Sequence, residues 1–136
     1  MARLIGARVK NSATQSRASN SALLFDQEDW DDAAFHDTGS NTSRLTIPTG
    51  MAGRYIVGAF GKTSAGAAGN YGIYLQKNGA DINAATFIYS NDTSDKQVSV
   101  VTIIDAIATD YFEVKVNHSG SITWATACRF WLNRIG

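Results

Sequence analysis

Cys128 is the only cysteine. With His36 or His118 it would supply the side chains of a thiol nucleophile, in which the imidazole takes the proton and the thiolate attacks. The surrounding pattern argues against that use. Cys128 shares one side of an alternating run with Trp124, Phe130 and Leu132, where a thiol behaves as a small buried apolar group. Both histidines fall in turn-rich stretches and have no diagnostic spacing from it. Gly61-Lys62-Thr63 has the ending of a phosphate-binding loop, but position 56 is Ile where that loop needs glycine, and no helix pattern follows. The separation of paired carboxylates is three-dimensional, and nothing in their spacing here favours glycoside hydrolysis. The sequence assigns no catalytic residue and predicts no enzyme.

The densest titratable stretch is Asp26, Glu28, Asp29, Asp31 and Asp32, with Asp37 nearby. Calcium takes about six to eight hard oxygen ligands, which makes Asp29, Asp31 and Asp32 the candidates for a cation. The stretch has neither the Asp-x-Asp-x-Asp-Gly spacing of a helix–loop–helix calcium site nor its closing glutamate. The expectation is therefore a solvated acidic loop, with no metal and no cofactor. Trp30, inside the cluster, is either an anchor for that loop or a recognition residue.

Composition narrows the remaining classes. Twelve Lys and Arg balance twelve Asp and Glu, which excludes nucleic-acid binding by counterion release, a mode that needs clustered excess cations. One cysteine forms no internal disulfide, and no Cys/His cluster is spaced to hold structural zinc. A length of 136 residues predicts one domain, residues 1–136. No apolar run is long enough for a signal peptide or for membrane insertion. Without such a signal, Asn41-Thr42-Ser43, Asn91-Asp92-Thr93 and Asn117-His118-Ser119 read as chance matches to the glycosylation pattern.

The elements that must position these residues read as strands. Arg44-Leu45-Thr46-Ile47 alternates, and Tyr55, Val57 and Ala59 share one face of the next run. Residues 61–70 read as a Gly/Ala/Ser loop. Tyr71, Ile73 and Leu75 then alternate up to Asn78-Gly79, a hairpin signal because a type I′ turn wants positive φ at both central residues. Residues 98–104 are β-branched and apolar on nearly both faces, which predicts a strand covered on both sides. Phe112, Val114 and Val116 alternate with polar residues, predicting one wet face. From Ile122 the alternation runs to the chain end and predicts one long final strand. Leu23-Leu24-Phe25 suits a short strand ahead of the acidic loop. With no stripe of helical period, the fold class is all-β: a two-sheet jelly-roll sandwich of eight to ten short strands. The uncharged loops 61–70 and 90–95 would sit at its ends, where loops often carry binding.

Several segments together resemble the C1q/TNF-like jelly roll. They are Leu24-Phe25-Asp26, Ser43-Arg44-Leu45-Thr46-Ile47-Pro48, Gly53-Arg54-Tyr55, Lys77-Asn78-Gly79, Asp110-Tyr111-Phe112-Glu113-Val114 and Phe130-Trp131-Leu132. The opening Ala7-Arg8-Val9-Lys10-Asn11-Ser12 is similar to bacteriophage versions of that domain, which occur in tail fibres and head decorations. The resemblance covers about Ala7 to Gly136. Two places depart from the family pattern: Thr109 stands where a glycine usually precedes the aspartate, and the turn between Pro48 and Gly53 is longer. No collagen-like repeat precedes the domain.

The resemblance implies a ten-stranded sandwich that assembles as a tight homotrimer, and calcium binding occurs in some of its members. The residues agree on one point. Val101, Ile103, Ala125, Ala127 and Trp131 lie on second apolar faces that need cover, and subunit contact would supply it. Val101, Ile103, Ala125 and Trp131 are thus the expected trimer-interface residues. The expected function is a non-enzymatic structural protein of a bacteriophage virion, as capsid decoration or as the knob of a fibre or spike. The alternative is a carbohydrate- or host-receptor-binding module. Expected partners are further copies of the chain, virion proteins of capsid or tail, and a cell-surface glycan. The expected location is the virion surface, after assembly in the host cytoplasm.

Overall fold

The computed structural model describes residues 3–64, 69–91, 94–120 and 122–136. Eleven strands lie among them: β1 Gly6–Lys10, β2 Gln15–Ser16, β3 Gln27–Asp31, β4 Arg44–Thr46, β5 Gly53–Lys62 and β6 Gly69–Lys77, followed by β7 Ala80–Ser90, β8 Gln97–Ala106, β9 Tyr111–His118, β10 Thr123–Trp124 and β11 Arg129–Arg134. A five-stranded antiparallel sheet runs in the order β3-β1-β11-β5-β8, and a four-stranded one in the order β4-β9-β6-β7. The two-residue strands β2 and β10 pair with each other. The all-β expectation holds.

Alternation explains the layering, because successive side chains of a strand point to opposite faces. Tyr55, Val57 and Ala59 of β5, Phe130 and Leu132 of β11, and Ala7 and Val9 of β1 all point inward from the five-stranded sheet. They meet Tyr71, Ile73 and Leu75 of β6 and Phe112, Val114 and Val116 of β9 from the other sheet. The β6–β7 hairpin turns at Asn78 (φ 52°) and Gly79 (φ 81°), the two positive angles a type I′ turn requires.

Four expectations are corrected. The acidic stretch is a strand: β3 pairs with β1 along that sheet's edge. Its charge is tolerated because Arg8 and Lys10 of β1 and Arg129 of β11 surround Asp29, a cross-strand balance that local composition does not display. Residues 23–25 make no ladder. Leu23 and Phe25 are buried, but their amides donate to different segments, Val114 O at 2.9 Å and Thr42 O at 3.0 Å.

The single final strand is two, β10 and β11, separated by a turn at Thr126 and Ala127. Thr126, which strict alternation puts inside, is exposed there. The turn contains none of the Gly, Pro, Asn or Asp that announces one, so periodicity runs straight through it. Residues 61–70 are only partly loop, since β5 continues to Lys62 and β6 starts at Gly69. Gly61 is a packing glycine: a Cβ there would come within 2.7 Å of the Trp124 ring. Residues 65–68 and 92–93 of the two expected binding loops lie outside the described residues.

Candidate binding surface

The candidate nucleophiles do not meet. Cys128 is fully buried, its Sγ lies 3.8 Å from Lys62 O, and burial pushes the thiol above its ordinary range. His36 is held between Glu28 Oε1 (3.3 Å) and Thr42 O (3.1 Å). His118 is held between Gly120 O (3.1 Å) and Arg17 O (2.8 Å).

The calcium candidates are occupied by other partners. Both Asp29 oxygens face cations, Lys10 Nζ at 2.9 Å on one and Arg8 Nε (2.7 Å) and Arg129 Nε (3.1 Å) on the other. Burial alone would raise that carboxyl, but the Lys10 and Arg8 bonds outweigh it and hold it below the ordinary carboxylate range. Asp31 accepts the amides of Phe35 and His36 at 2.9 Å each and so shapes the chain leaving β3. Asp32 accepts from the Gly6 amide at 3.1 Å and from the Arg3 guanidinium. A cation would have to displace these donors. Among the described residues no three His, Cys, Asp or Glu side chains converge for a metal.

The five-stranded sheet carries a different feature on its outer face. Register places Val101 of β8, Gly58 of β5, Trp131 of β11, Arg8 of β1 and Trp30 of β3 in a single row across all five strands. The row beside it begins Ile103, Ile56 and Asn133. The Trp131 indole lies over Gly58, where any Cβ would overlap its ring. The ring thereby bridges from β11 towards the β8 edge. Arg8 stacks its guanidinium 4.6 Å from the centre of the Trp30 ring and binds Asp29 at the same time.

Among the described residues, nothing covers the outer side of 98–104 at Val101 and Ile103. β8 is an edge strand, with Val98 and Val100 inside but Val101 at 57% and Ile103 at 59% exposure. Three of the four expected interface residues, Val101, Ile103 and Trp131, therefore share one surface. Ala125 does not sit on a strand face. It lies in the β10–β11 connection, where its amide donates to Lys62 O (2.7 Å) and its carbonyl accepts from Asn11 (2.9 Å). Trp30 and Gly58 belong to the row although the sequence reading left them out of it. The signal for Gly58 is a glycine in the middle of an otherwise bulky strand, a mark of close approach by a neighbouring group.

No family model matches the sequence, and no curated protein sequence matches it. Solved structures do match over nearly the whole chain. The globular domain of zebrafish complement 1qA superposes with a TM-score of 0.77 at 12% identity, covering 97% of this chain and 98% of that one. Murine APRIL gives 0.77 at 6% identity, covering 98% and 100%. The Eiger TNF of S. frugiperda gives 0.66 at 17% identity, covering 98% and 93%. Identities this low carry the backbone architecture and nothing about ligands. Two antiparallel sheets in this order, matched end to end by those three structures, give the chain the C1q/TNF-like jelly-roll fold.

Proposed function

We propose that the protein is a non-enzymatic homotrimeric binding module that serves as a structural protein of a bacteriophage virion, either decorating a capsid or forming the knob of a fibre or spike. The observation that carries assembly is the outer face of the five-stranded sheet. Val101 and Ile103 stand more than half exposed beside Ile56 and a Trp131 ring laid over Gly58. Contiguous apolar surface of this kind on a small domain marks an interaction site.

A threefold contact is heterologous, so each subunit presents one region to a different region of the next. The β8 edge and the centre of the sheet at Trp131 offer two such regions. The burial gained on assembly adds stability to a domain that has no disulfide. The non-enzymatic reading rests on the buried Cys128 and on two histidines occupied by structural partners. The virion role rests on the similarity of the Ala7–Ser12 opening to phage domains, with the virion surface as location after assembly in the host cytoplasm.

Light scattering on the purified protein tests the assembly: about three times 14.6 kDa is expected, and a monodisperse monomer overturns it. Co-sedimentation with empty phage capsids tests decoration. Binding to capsids places the protein on the head, and failure to bind them removes the decoration role.

A further inference from the structure

The outer face of the four-stranded sheet, on the side of the sandwich away from the Trp131 row, holds a concavity of about 280 Å³. Phe87 is one of the residues that line it, and its ring is seated on the sheet. Gly72 of β6 lies between Phe87 of β7 and Asn117 of β9 in register, and a Cβ at Gly72 would overlap the Phe87 ring. Phe87 is therefore braced against the sheet, yet it remains 56% exposed.

The rim is made of amides. Asn20 Oδ1 accepts from Asn117 Nδ2 at 2.9 Å and from the Tyr74 hydroxyl at 3.3 Å. Among the described residues, the Asn20 Nδ2 and the Asn117 Oδ1 make no hydrogen bond. On the opposite rim β7 bulges: Tyr74 faces Ala85 and Gln76 faces Asp81, so extra residues stand opposite Leu75. Asn83 lies in that bulge at φ 58° and is exposed. Bulges recur next to functional sites because they re-aim a side chain.

We propose that this concavity binds a neutral saccharide, presented as the terminal ring of a glycan. A pyranose carries an apolar C–H face and a ring of hydroxyls that each donate and accept. Phe87 offers the flat apolar partner for the first, and the Asn20, Asn83 and Asn117 amides offer paired donors and acceptors for the second. Pockets for drug-sized ligands begin at roughly 300 Å³, so a site of about 280 Å³ suits one ring with its neighbours in solvent. Among the described residues Asp81 is the only charged one lining it, which favours neutral over sialylated or sulfated sugars. The inference deepens the binding-module reading and rests on it only in that the protein acts by recognition. Trimer assembly is not required.

The test is a glycan array carrying neutral hexose- and N-acetylhexosamine-terminated oligosaccharides beside sialylated and sulfated ones. It is followed by titration of the strongest neutral binder against variants. Binding to neutral glycans is expected, weakened at least about tenfold by Phe87→Ala and by Asn83→Gly. Glycine keeps the positive φ at position 83, so the second variant preserves the bulge. Tyr89→Ala, on the same strand but outside the concavity, should bind as the unaltered protein does. If Phe87→Ala lowers the melting temperature, Asn83→Gly alone decides. The proposal is overturned if no neutral glycan binds, if only anionic ones do, or if Asn83→Gly binds undiminished. Light scattering on the same samples reads assembly separately, so a monomer that binds sugar removes the trimer and leaves this site standing.

Discussion

The Trp131 indole lies across Gly58 of the neighbouring strand, occupying the space where a Cβ at position 58 would go. Gly58→Ala must push the ring away or shift the strand, and overpacking of this kind costs about 1–3 kcal/mol. Urea unfolding should show that loss for the single variant. Adding Trp131→Ala removes the overlap, so the double variant should cost less than the two single variants summed. Strict additivity would mean the ring does not depend on Gly58.

Val101 and Ile103 are exposed in the subunit but central to the proposed contact. Replacing both with Asp should leave the fold of the subunit within about 1 kcal/mol, as exposed substitutions usually do. It should also drop the mass in light scattering from a trimer to 14.6 kDa. A variant that remains trimeric would place the interface elsewhere on the molecule.

Thr109 sits at φ 75°, in the left-handed region, although it is β-branched. It is held there by its own amide bond to Ile47 O (2.9 Å) and by the Asp110 amide bond to Ile107 O (3.1 Å). A side chain in that region costs about 1–2 kcal/mol, while glycine gives back roughly 0.5–1 kcal/mol in chain entropy. Thr109→Gly should therefore stabilise by about 0.5–1 kcal/mol and raise the melting temperature by about 2–4 °C. Thr109→Ala keeps the Cβ and should gain much less. Equal gains would show that the angle is not the source.

Asp110 stabilises the hairpin end. Burial alone would raise its carboxyl, but the Ile107 amide (2.9 Å), Asn78 (2.7 Å) and Lys77 (2.9 Å) outweigh that and hold it below the ordinary carboxylate range. Asp29, among its three cations, is lowered in the same sense. In both cases the folded pKa lies below the unfolded one, so the unfolded chain takes up protons first. Their stabilisation is complete above the unfolded value near 4 and is lost as the pH falls through the folded values. The urea midpoint should decline below about pH 4, and Asp110→Asn should flatten that decline while lowering the midpoint at neutral pH. An unchanged acid limb would remove Asp110 from the account.

Cys128 is fully buried, and burial pushes its thiol up. A disulfide-exchange reagent should leave the native protein unmodified and titrate one thiol per chain once denaturant is added. Rapid native labelling would contradict the packing of β11 against β5.

Much of the sandwich was legible locally. Tyr55, Val57 and Ala59 alternate in sequence and are buried together, and Asn78-Gly79 specified its turn because few other pairs accept two positive φ angles. The open outer face of the five-stranded sheet was legible in part. Val101 and Ile103 betrayed themselves as apolar residues on the side of a strand that its own chain leaves open. Ala125 was misplaced because the turn at Thr126 and Ala127 carries no turn residue.

What the sequence by itself determined was which side of each strand faces inward, because side-chain period is a property of one strand. What only the tertiary structure decided was which strands lie side by side. That pairing alone puts Asp29 among Arg8, Lys10 and Arg129, turning an apparent cation site into a neutralised edge strand. It sets Trp131 over Gly58 and Phe87 over Gly72. Each contact joins residues far apart in the chain, and long-range register is not written in any one segment. Balanced charge and a single thiol pointed away from particular chemistries; the outer faces of the two sheets, assembled only by folding, hold the surfaces proposed for assembly and recognition.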